Sequence, residues 1–318
     1  MLAREGENKL EAKKIWVSVD GGGTKTRICA CDKQGRKLYD DSFGCSNYKS
    51  SGLDAVSKTL HGAFEQMLSV LGCKKEEIVG IVMAIAGCDT QRDKQIYKSI
   101  MLQKGFDENK LFVCNDTEAI FRALSDEDGV CVVAGTGSIV CAYDAFGLKA
   151  RVGGWGSPLS DYGSGYWIGA QILKKVIRWY DGINEETRPV YKEIAEAFQK
   201  PHTELAWTLA ALSVSEVAAV SSYVFKHAQQ GDSLCREIIN KATEYIIEQI
   251  VVLCRKVNFT YPFSIVTVGG IFRNESFRQS VIEGVEKKLS DCQLKFLSPV
   301  NSPAEDGLQF AQKLYRTE

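Results

Sequence analysis

The sequence predicts an α/β protein of two lobes with like topology, each a sheet flanked by helices. Apolar runs of strand length alternate with helical patterns, and three of the runs end in glycine loops. Offsetting the chain by 112 residues lays GGTKTRICACD (22–32) over AGTGSIVCAYD (134–144), with Gly, Thr, Cys, Ala and Asp coinciding and Gly35 over Gly147. A strand, glycine loop and strand repeated in each half is the economical reading of that match. The length agrees, because a single core rarely keeps growing to 318 residues and lobes of roughly 150 are the usual outcome.

Taken in order, a charged lead-in of about 14 residues precedes IWVSVD (15–20), a buried strand, then the loop GGGTKT and a second strand, RICACD (27–32). Leu53, Val56, Leu60, Phe64, Met67 and Leu71 recur at spacings of three and four, which predicts an amphipathic helix over 53–71 closed by Gly72. IVGIVMAIAG (78–87) and LFVCND (111–116) read as strands with a polar helical stretch between them. That pattern is a β-α-β crossover in a sheet covered on both faces. The second lobe opens with CVVAGTGSIVCAYD (131–144), again strand, loop and strand, followed by the glycine-rich VGGWGSPLSDYGSG (152–165). Helices are predicted over 167–180, 214–229 and 233–257, with Gly231 and Asp232 breaking and capping between the last two. SIVTVGGIFRN (264–274) is a strand ending in a glycine turn, LKFL (294–297) is a last strand, and a final helix starts near Ala304.

Composition narrows the function. With 45% hydrophobic and 25% charged residues the chain is neither disordered nor low-complexity. Its 39 basic and 40 acidic residues leave a net charge of -1, which lacks the footprint of a nucleic-acid binder, so small molecules are the expected partners. No run reaches the roughly 18 apolar residues of a membrane helix, and the charged N-terminus lacks the apolar core of a signal peptide. A cytoplasmic protein without a membrane partner is expected. The 11 cysteines are odd in number, scattered and set in apolar runs, so they read as small core residues. There is no CxxC, and His61, His202 and His227 have no partner at metal-ligand spacing. Carboxylates, hydroxyls and backbone are left to carry any chemistry.

The glycine loops at 21–25, 135–138 and 269–270 let backbone N–H groups approach phosphate oxygens, and Thr24, Thr26, Thr136 and Ser138 add hydroxyls; an ordinary β-turn explains any one loop alone. GGGTKT lacks the P-loop spacing, and GTGS opens into a strand where a dinucleotide fingerprint opens a helix. Asp20 and Asp116 fall at the carboxyl ends of apolar strands, where open α/β sheets place their ligands. Asp116 reads as a general base or as the cap of a helix beginning at Glu118. Asp20, beside the first loop, reads as a magnesium ligand acting through water or as a turn cap.

DGGGTKT (20–26), ND (115–116), AGTGS (134–138), GGWGSPLSDYGSGYWIG (153–169) and VGGIFRN (268–274), in this order and spacing, resemble the N-acetylglucosamine kinases. These belong to the BadF/BadG/BcrA/BcrD ATPase family of the actin-like sugar kinase and Hsp70 ATPase superfamily. The resemblance covers nearly everything after residue 14 and is most specific from GGWG to YWIG. It implies two actin-like (ribonuclease H-like) lobes with mixed sheets flanked by helices and an active-site cleft between them. On this pattern a sugar and phosphate lobe comprises 1–117 with about 298–318 returning to it, and a nucleotide lobe comprises 118–297.

The activity it implies is transfer of the γ-phosphoryl group of ATP, with Mg2+, to the 6-hydroxyl of N-acetylglucosamine. Gly22, Gly23, Thr24 and Lys25, with Gly135, Thr136 and Gly137, are then expected at the ATP phosphates. Gly269 and Gly270 are expected near the adenosine, and Asp116 as the general base. Asn47, Gly154, Trp155 and Asp161 match residues around the sugar. Trp155 between glycines suits either a core anchor or the apolar face of a sugar and its acetyl methyl. The sequence departs from the family at DYGS, usually DEGS, where Tyr162 replaces an acidic residue close to the sugar. N-acetylmuramic acid and glucosamine therefore stay open as substrates. A homodimer is expected. The rival reading is an ATPase activator of a dehydratase or reductase holding an iron-sulfur cluster at its dimer interface, for which Cys131 would be the ligand; its strand setting and the sugar residues argue against it. A sugar-sensing regulator without turnover is opposed by the intact Asp116 and the lack of a helix-turn-helix.

Overall fold

The computed structural model describes residues 13–157, 159–184, 186–200, 202–257, 259 and 262–316; the lead-in up to residue 12 lies outside them. The chain falls into two units, one running to Leu124 and resuming at Pro299, the other Ser125–Ser298.

In the first unit β1 (Ile15–Gly21), β2 (Thr26–Cys31) and β3 (Lys37–Phe43) make an antiparallel meander. A short α1 (Tyr48–Ser51) and α2 (Leu53–Leu71) lead to β4 (Ile78–Ile85), and α3 (Gln91–Leu102) crosses to β5 (Leu111–Cys114), from which α4 (Asp116–Leu124) departs. Strands β4 and β5 add in parallel on the far side of β1, giving the order β3-β2-β1-β4-β5. Helix α2 buries Val56, Leu60, Phe64 and Met67, the stripe that the spacing predicts, and Gly72 ends it in left-handed backbone at φ 57°.

The second unit repeats the plan. Strands β6 (Gly129–Ala134), β7 (Ser138–Asp144) and β8 (Gly147–Gly153) form its meander. Six helices follow: α5 (Gly165–Tyr180), α6 (Pro189–Ala197), α7 (His202–Ala210), α8 (Val214–Ala219), α9 (Ser221–Gln229) and α10 (Ser233–Lys256). Then β9 (Phe263–Val268), α11 (Glu275–Lys288) and β10 (Leu294–Leu297) complete the sheet in the order β10-β9-β6-β7-β8, the same order as the first. The sequence match at an offset of 112 thus marks equivalent hairpins, and Gly35 and Gly147, both at positive φ, turn the chain into the outer strand of each meander.

Helix α12 (Pro303–Leu314) belongs to the first unit. It lays Ala304, Leu308, Phe310 and Ala311 against Trp16, Cys29, Val82 and Cys114, while Val17, Val19, Ile81 and Met83 face α2 and α3 on the other side. Alternation along each strand splits these residues between two apolar layers, as a sheet covered on both faces requires.

Four expectations need correction. The helix expected over 214–229 is two, because Val220 closes α8 and opens α9 while the buried stripe Val217, Val220, Val224 runs unbroken across the join. The strands expected over 78–87 and 111–116 stop at Ile85 and Cys114. Asp116 is accordingly the first residue of α4, not the last of a strand. A lobe boundary after residue 117 falls inside α4, which packs on α12 of the first unit, and the division comes at its end.

Candidate active site

At the carboxyl edge of the first sheet, β1, β4 and β5 end side by side, and their loops carry the candidates. The loop after β1 turns by a hydrogen bond from Gly22 N–H to Lys25 O at 2.9 Å. Gly21 O and Gly22 O accept from Ala86 and Ser46 at 2.8 and 3.2 Å, so the loop's carbonyls are tied to the neighbouring loops. Gly23, Thr24 and Lys25 stand exposed beyond it. The Thr26 hydroxyl instead donates to Gly44 O at 2.7 Å, which removes it from the expected phosphate donors. Gly21 has no room for a side chain, since a Cβ there would lie 2.3 Å from Ser46 Oγ.

Asp20 is partly buried, and burial pushes its carboxyl up while Arg27 and Lys25 pull it down. Asn47 stands at the start of α1: its Oδ1 accepts from Lys49 N–H at 2.9 Å, and its Nδ2 donates to Ala86 O at 3.0 Å. Each atom keeps one further hydrogen-bonding capacity for a ligand.

At Asp116 the helix cap falls to its neighbour. The capping is done by Asn115, whose Oδ1 accepts from Thr117 N–H at 3.0 Å and from the Thr117 hydroxyl at 2.8 Å, and whose carbonyl starts the helix. Asp116 shares the Thr117 N–H at 3.0 Å but is not needed for the cap. Burial pushes its carboxyl up to about 6; the Thr117 N–H opposes this, and the negative charges of Asp20 and Asp89 add to it. A carboxyl poised near neutrality on the first turn of a helix at the sheet's carboxyl edge is suited to accept a proton.

In the second unit, Gly135 N–H closes the loop onto Gly137 O at 2.9 Å. Gly135 O and Thr136 O accept from Gly165 and Tyr166, the first residues of α5, at 2.8 and 3.0 Å. With those carbonyls turned into the helix, trans peptide geometry turns the N–H groups of Thr136 and Gly137 the opposite way, as an anion-binding turn needs. The Ser138 hydroxyl, expected among the donors, is spent on Tyr162 O at 3.0 Å. Gly269 at φ 112° packs so closely that a Cβ would lie 2.3 Å from Ala134 O, which sets the third glycine loop directly beside the second. Asp161 lies there too: a Cβ on Gly137 would come within 2.6 Å of its Oδ2. It is buried, holds a left-handed φ of 59°, and keeps Oδ1 without a hydrogen-bond partner, so burial raises its carboxyl.

Trp155 is no core anchor. It is 71% exposed and stacks on the Arg151 guanidinium at 4.1 Å, while Arg151 donates to Gly154 O at 2.7 Å. The Tyr162 ring packs on Tyr245 at 5.0 Å, and Tyr245 on Trp167 at 5.3 Å. Cys131 is fully buried in mid-strand between Cys141 on β7 and Val266 on β9, out of reach of any cluster shared at a surface. Sequence reading missed Asp89, whose Oδ1 accepts from Asn115 Nδ2 at 2.8 Å, and Asp93; the Thr90-x-x-Asp93 capping signature was the available signal. Among the described residues no group of three or more His, Cys, Asp or Glu side chains is placed to hold a metal, and no single helix is long and apolar enough to cross a membrane.

Comparison with known proteins gives a consistent picture. The model of the BadF/BadG/BcrA/BcrD ATPase family matches residues 17–297. The chain is 30% identical to an N-acetyl-D-glucosamine kinase of Dictyostelium discoideum over 276 residues, covering 81% of this chain and 86% of that one. It is 28% identical to an N-acetylmuramic acid/N-acetylglucosamine kinase of Clostridium acetobutylicum, covering 83% and 87%. Among solved structures, a candidate N-acetylglucosamine kinase from Chromobacterium violaceum superposes with a TM-score of 0.70 at 20% identity, over 95% of this chain and all of that one, and so shares the fold.

Proposed function

Since the chain belongs to the BadF/BadG/BcrA/BcrD ATPase family, we propose that it is an ATP-dependent amino-sugar kinase, phosphorylating the 6-hydroxyl of N-acetylglucosamine or a close relative such as N-acetylmuramic acid or glucosamine. The observation that carries the reading is Asp116, a carboxyl held near neutrality and released from capping by Asn115, at the edge where Asn47 and the first glycine loop also stand.

The Asp116 carboxylate takes the hydroxyl proton as the sugar oxygen bonds to the γ-phosphorus, and the bond to the β,γ-bridging oxygen breaks to release ADP. In the first unit the N–H groups of the 23–25 turn, and in the second those of the 136–137 turn, are assigned to phosphate oxygens, whose charge is spread in the transition state. Gly269 packs against the second turn, and Gly270 beside it, where a Cβ would meet nothing within 4 Å, leaves space for the nucleoside. In the first unit Asn47 is assigned to orient the sugar; in the second Gly154, Trp155 and Asp161 are assigned to sugar contacts, Trp155 through its exposed face. Asp20 suits Mg2+ held through water: magnesium keeps most of its hydration and needs few carboxylates, and a half-buried carboxylate raised by burial gains from a cation. When bound, the ion neutralises phosphate charge. The protein works in the cytoplasm as a homodimer in this reading.

The test is ADP release against a panel of amino sugars, with the phosphate position read by NMR of the product. Phosphorylation at the 6-hydroxyl of an N-acetylated hexosamine in preference to glucose is expected. Equal use of glucose removes the acetyl contact assigned to Trp155, and ATP turnover independent of every sugar overturns the kinase reading.

A further inference from the structure

The residues assigned to the sugar and to the base sit on different loops of the first unit, yet both loops hang from one carboxylate. Asp93, the third residue of α3, is 2% exposed. Its Oδ2 accepts from Thr90 N–H at 2.9 Å, the Thr90 hydroxyl at 2.7 Å and Asp89 N–H at 3.1 Å. Its Oδ1 accepts a hydrogen bond from the Tyr48 hydroxyl and pairs with the Lys49 ammonium at 3.1 Å. A capping box requires only the Thr90 contacts. The other three donors come from outside the box and lead to the two functional loops.

One arm runs to the sugar side. Tyr48 and Lys49 directly follow Asn47, and Lys49 N–H is the group that Asn47 Oδ1 binds. Lys49 Nζ also reaches Gly87 O at 2.6 Å, beside the Ala86 carbonyl that holds Asn47 Nδ2. The other arm runs to the base. Asp89, its N–H fixed by Asp93, holds Asn115 Nδ2 at 2.8 Å, and Asn115 caps the turn from which Asp116 projects.

We propose that Asp93 is a positioning residue that sets Asn47 and Asp116 from one buried point, through Tyr48 and Lys49 on one arm and through Asp89 and Asn115 on the other. This rests on the kinase reading of Asn47 and Asp116. Charge-assisted bonds to a buried carboxylate are the strong class, so its ionised state stiffens both arms together. Displacing a base or a sugar contact by a fraction of an ångström is enough to cost rate or binding.

The experiment is steady-state kinetics of the full chain carrying Tyr48→Phe, Asp89→Ala or Asp93→Asn, with thermal unfolding followed for each. Tyr48→Phe is expected to raise the sugar KM about fivefold or more with kcat within about twofold, and Asp89→Ala to lower kcat about tenfold or more with the sugar KM within about twofold. Asp93→Asn combines both effects, and the KM for ATP stays within about twofold of the parent throughout. If Asp93→Asn does not fold, the two arm variants, which leave the Thr90 box intact, carry the test alone. Folded arm variants that match the parent, or that lower kcat and raise KM together in step with lost thermal stability, overturn the proposal. Asp116→Asn measured alongside separates the two claims: turnover near the parent's by that variant overturns the base assignment on which the second arm rests, whereas a loss of about 100-fold or more beside unaffected arm variants overturns only the positioning role.

Discussion

At Asp116 burial and function pull in opposite directions. The fold holds this carboxyl at about 6, chiefly by burial, with Asp20 and Asp89 adding repulsion. A base must be ionised to act, so kcat should climb as pH rises through about 6 and then level off; a profile flat from pH 5 to 8 would count against the assignment. Asp116→Asn should bind sugar and ATP but lose about 100- to 10,000-fold in kcat. The same shift has a stability consequence. Because the folded-state value lies above the unfolded one, the native form holds its proton more tightly, and stability is lost as pH rises between the two values. Asp116→Asn cannot ionise and should be more stable than the parent at pH 7.5 by about 1–3 kcal/mol, with the gap closing below pH ~4, as urea titrations at the two pH values can measure. Among the sugar residues, Asn47→Ala or Asp161→Ala removes a polar partner, whereas Trp155→Leu removes a face that is already 71% exposed. The first two should cut kcat/KM for the sugar far more than the last, since an apolar contact to a methyl is worth only about 1–3 kcal/mol.

The elements that could be read from the sequence are those with a buried stripe or a two-sided apolar run. Helix α2 and strands β1, β4 and β6 were legible because nearly every position on a face is apolar. Strands β3 and β8 were not, since they are the outer strands of their meanders and carry Lys37, Asp40, Asp41, Lys149 and Arg151. Helix α11 buries only Phe277, Val281 and Val285, a stripe too thin to stand out. For the site, strand ends and glycines pointed to Asp20, Asp116 and the loops, but nothing local distinguishes Thr24, left exposed, from Thr26, whose hydroxyl is spent on Gly44. Nor does the sequence show that Asp93 serves loops beyond its own cap. Helix glycines give a test at this scale. A Cβ on Gly169 of α5 would lie 1.9 Å from Val217 O of α8, whereas one on Gly62 of α2 meets nothing within 4 Å. Gly169→Ala should therefore cost about 1–3 kcal/mol by forcing two helices apart, and Gly62→Ala should stabilise by about 0.5–1 kcal/mol through helix propensity. Denaturant midpoints that move the same way for both variants would contradict this packing.

For the molecule as a whole, the informative feature is that the chain leaves its first unit at Leu124 and returns to it at Pro299. The return is structural, because α12 supplies the cover for one face of the first sheet. Its approach is close enough that a Cβ on Gly307 would lie 2.1 Å from Ser18 Oγ, and one on Gly80 of β4 would lie 2.0 Å from the Tyr315 ring just past the helix. Without α12, Trp16, Cys29, Val82 and Cys114 lose their partners Ala304, Leu308, Phe310 and Ala311. Each large apolar side chain returned to water costs about 1.5–3 kcal/mol, so the sum approaches the 5–15 kcal/mol that holds a typical domain together. The second unit has its own apolar core, with Val132, Ile172, Ile246 and Ile265 among its members. A chain ending at Ser298 should therefore keep a protease-resistant fragment starting near Ser125 while residues up to Leu124 are digested, and a peptide of residues 299–318 added in trans should restore protection. Equal resistance of both units in the shortened chain would show that the first sheet closes without its returning helix, and that the glycines at 80 and 307 are not shaped for it.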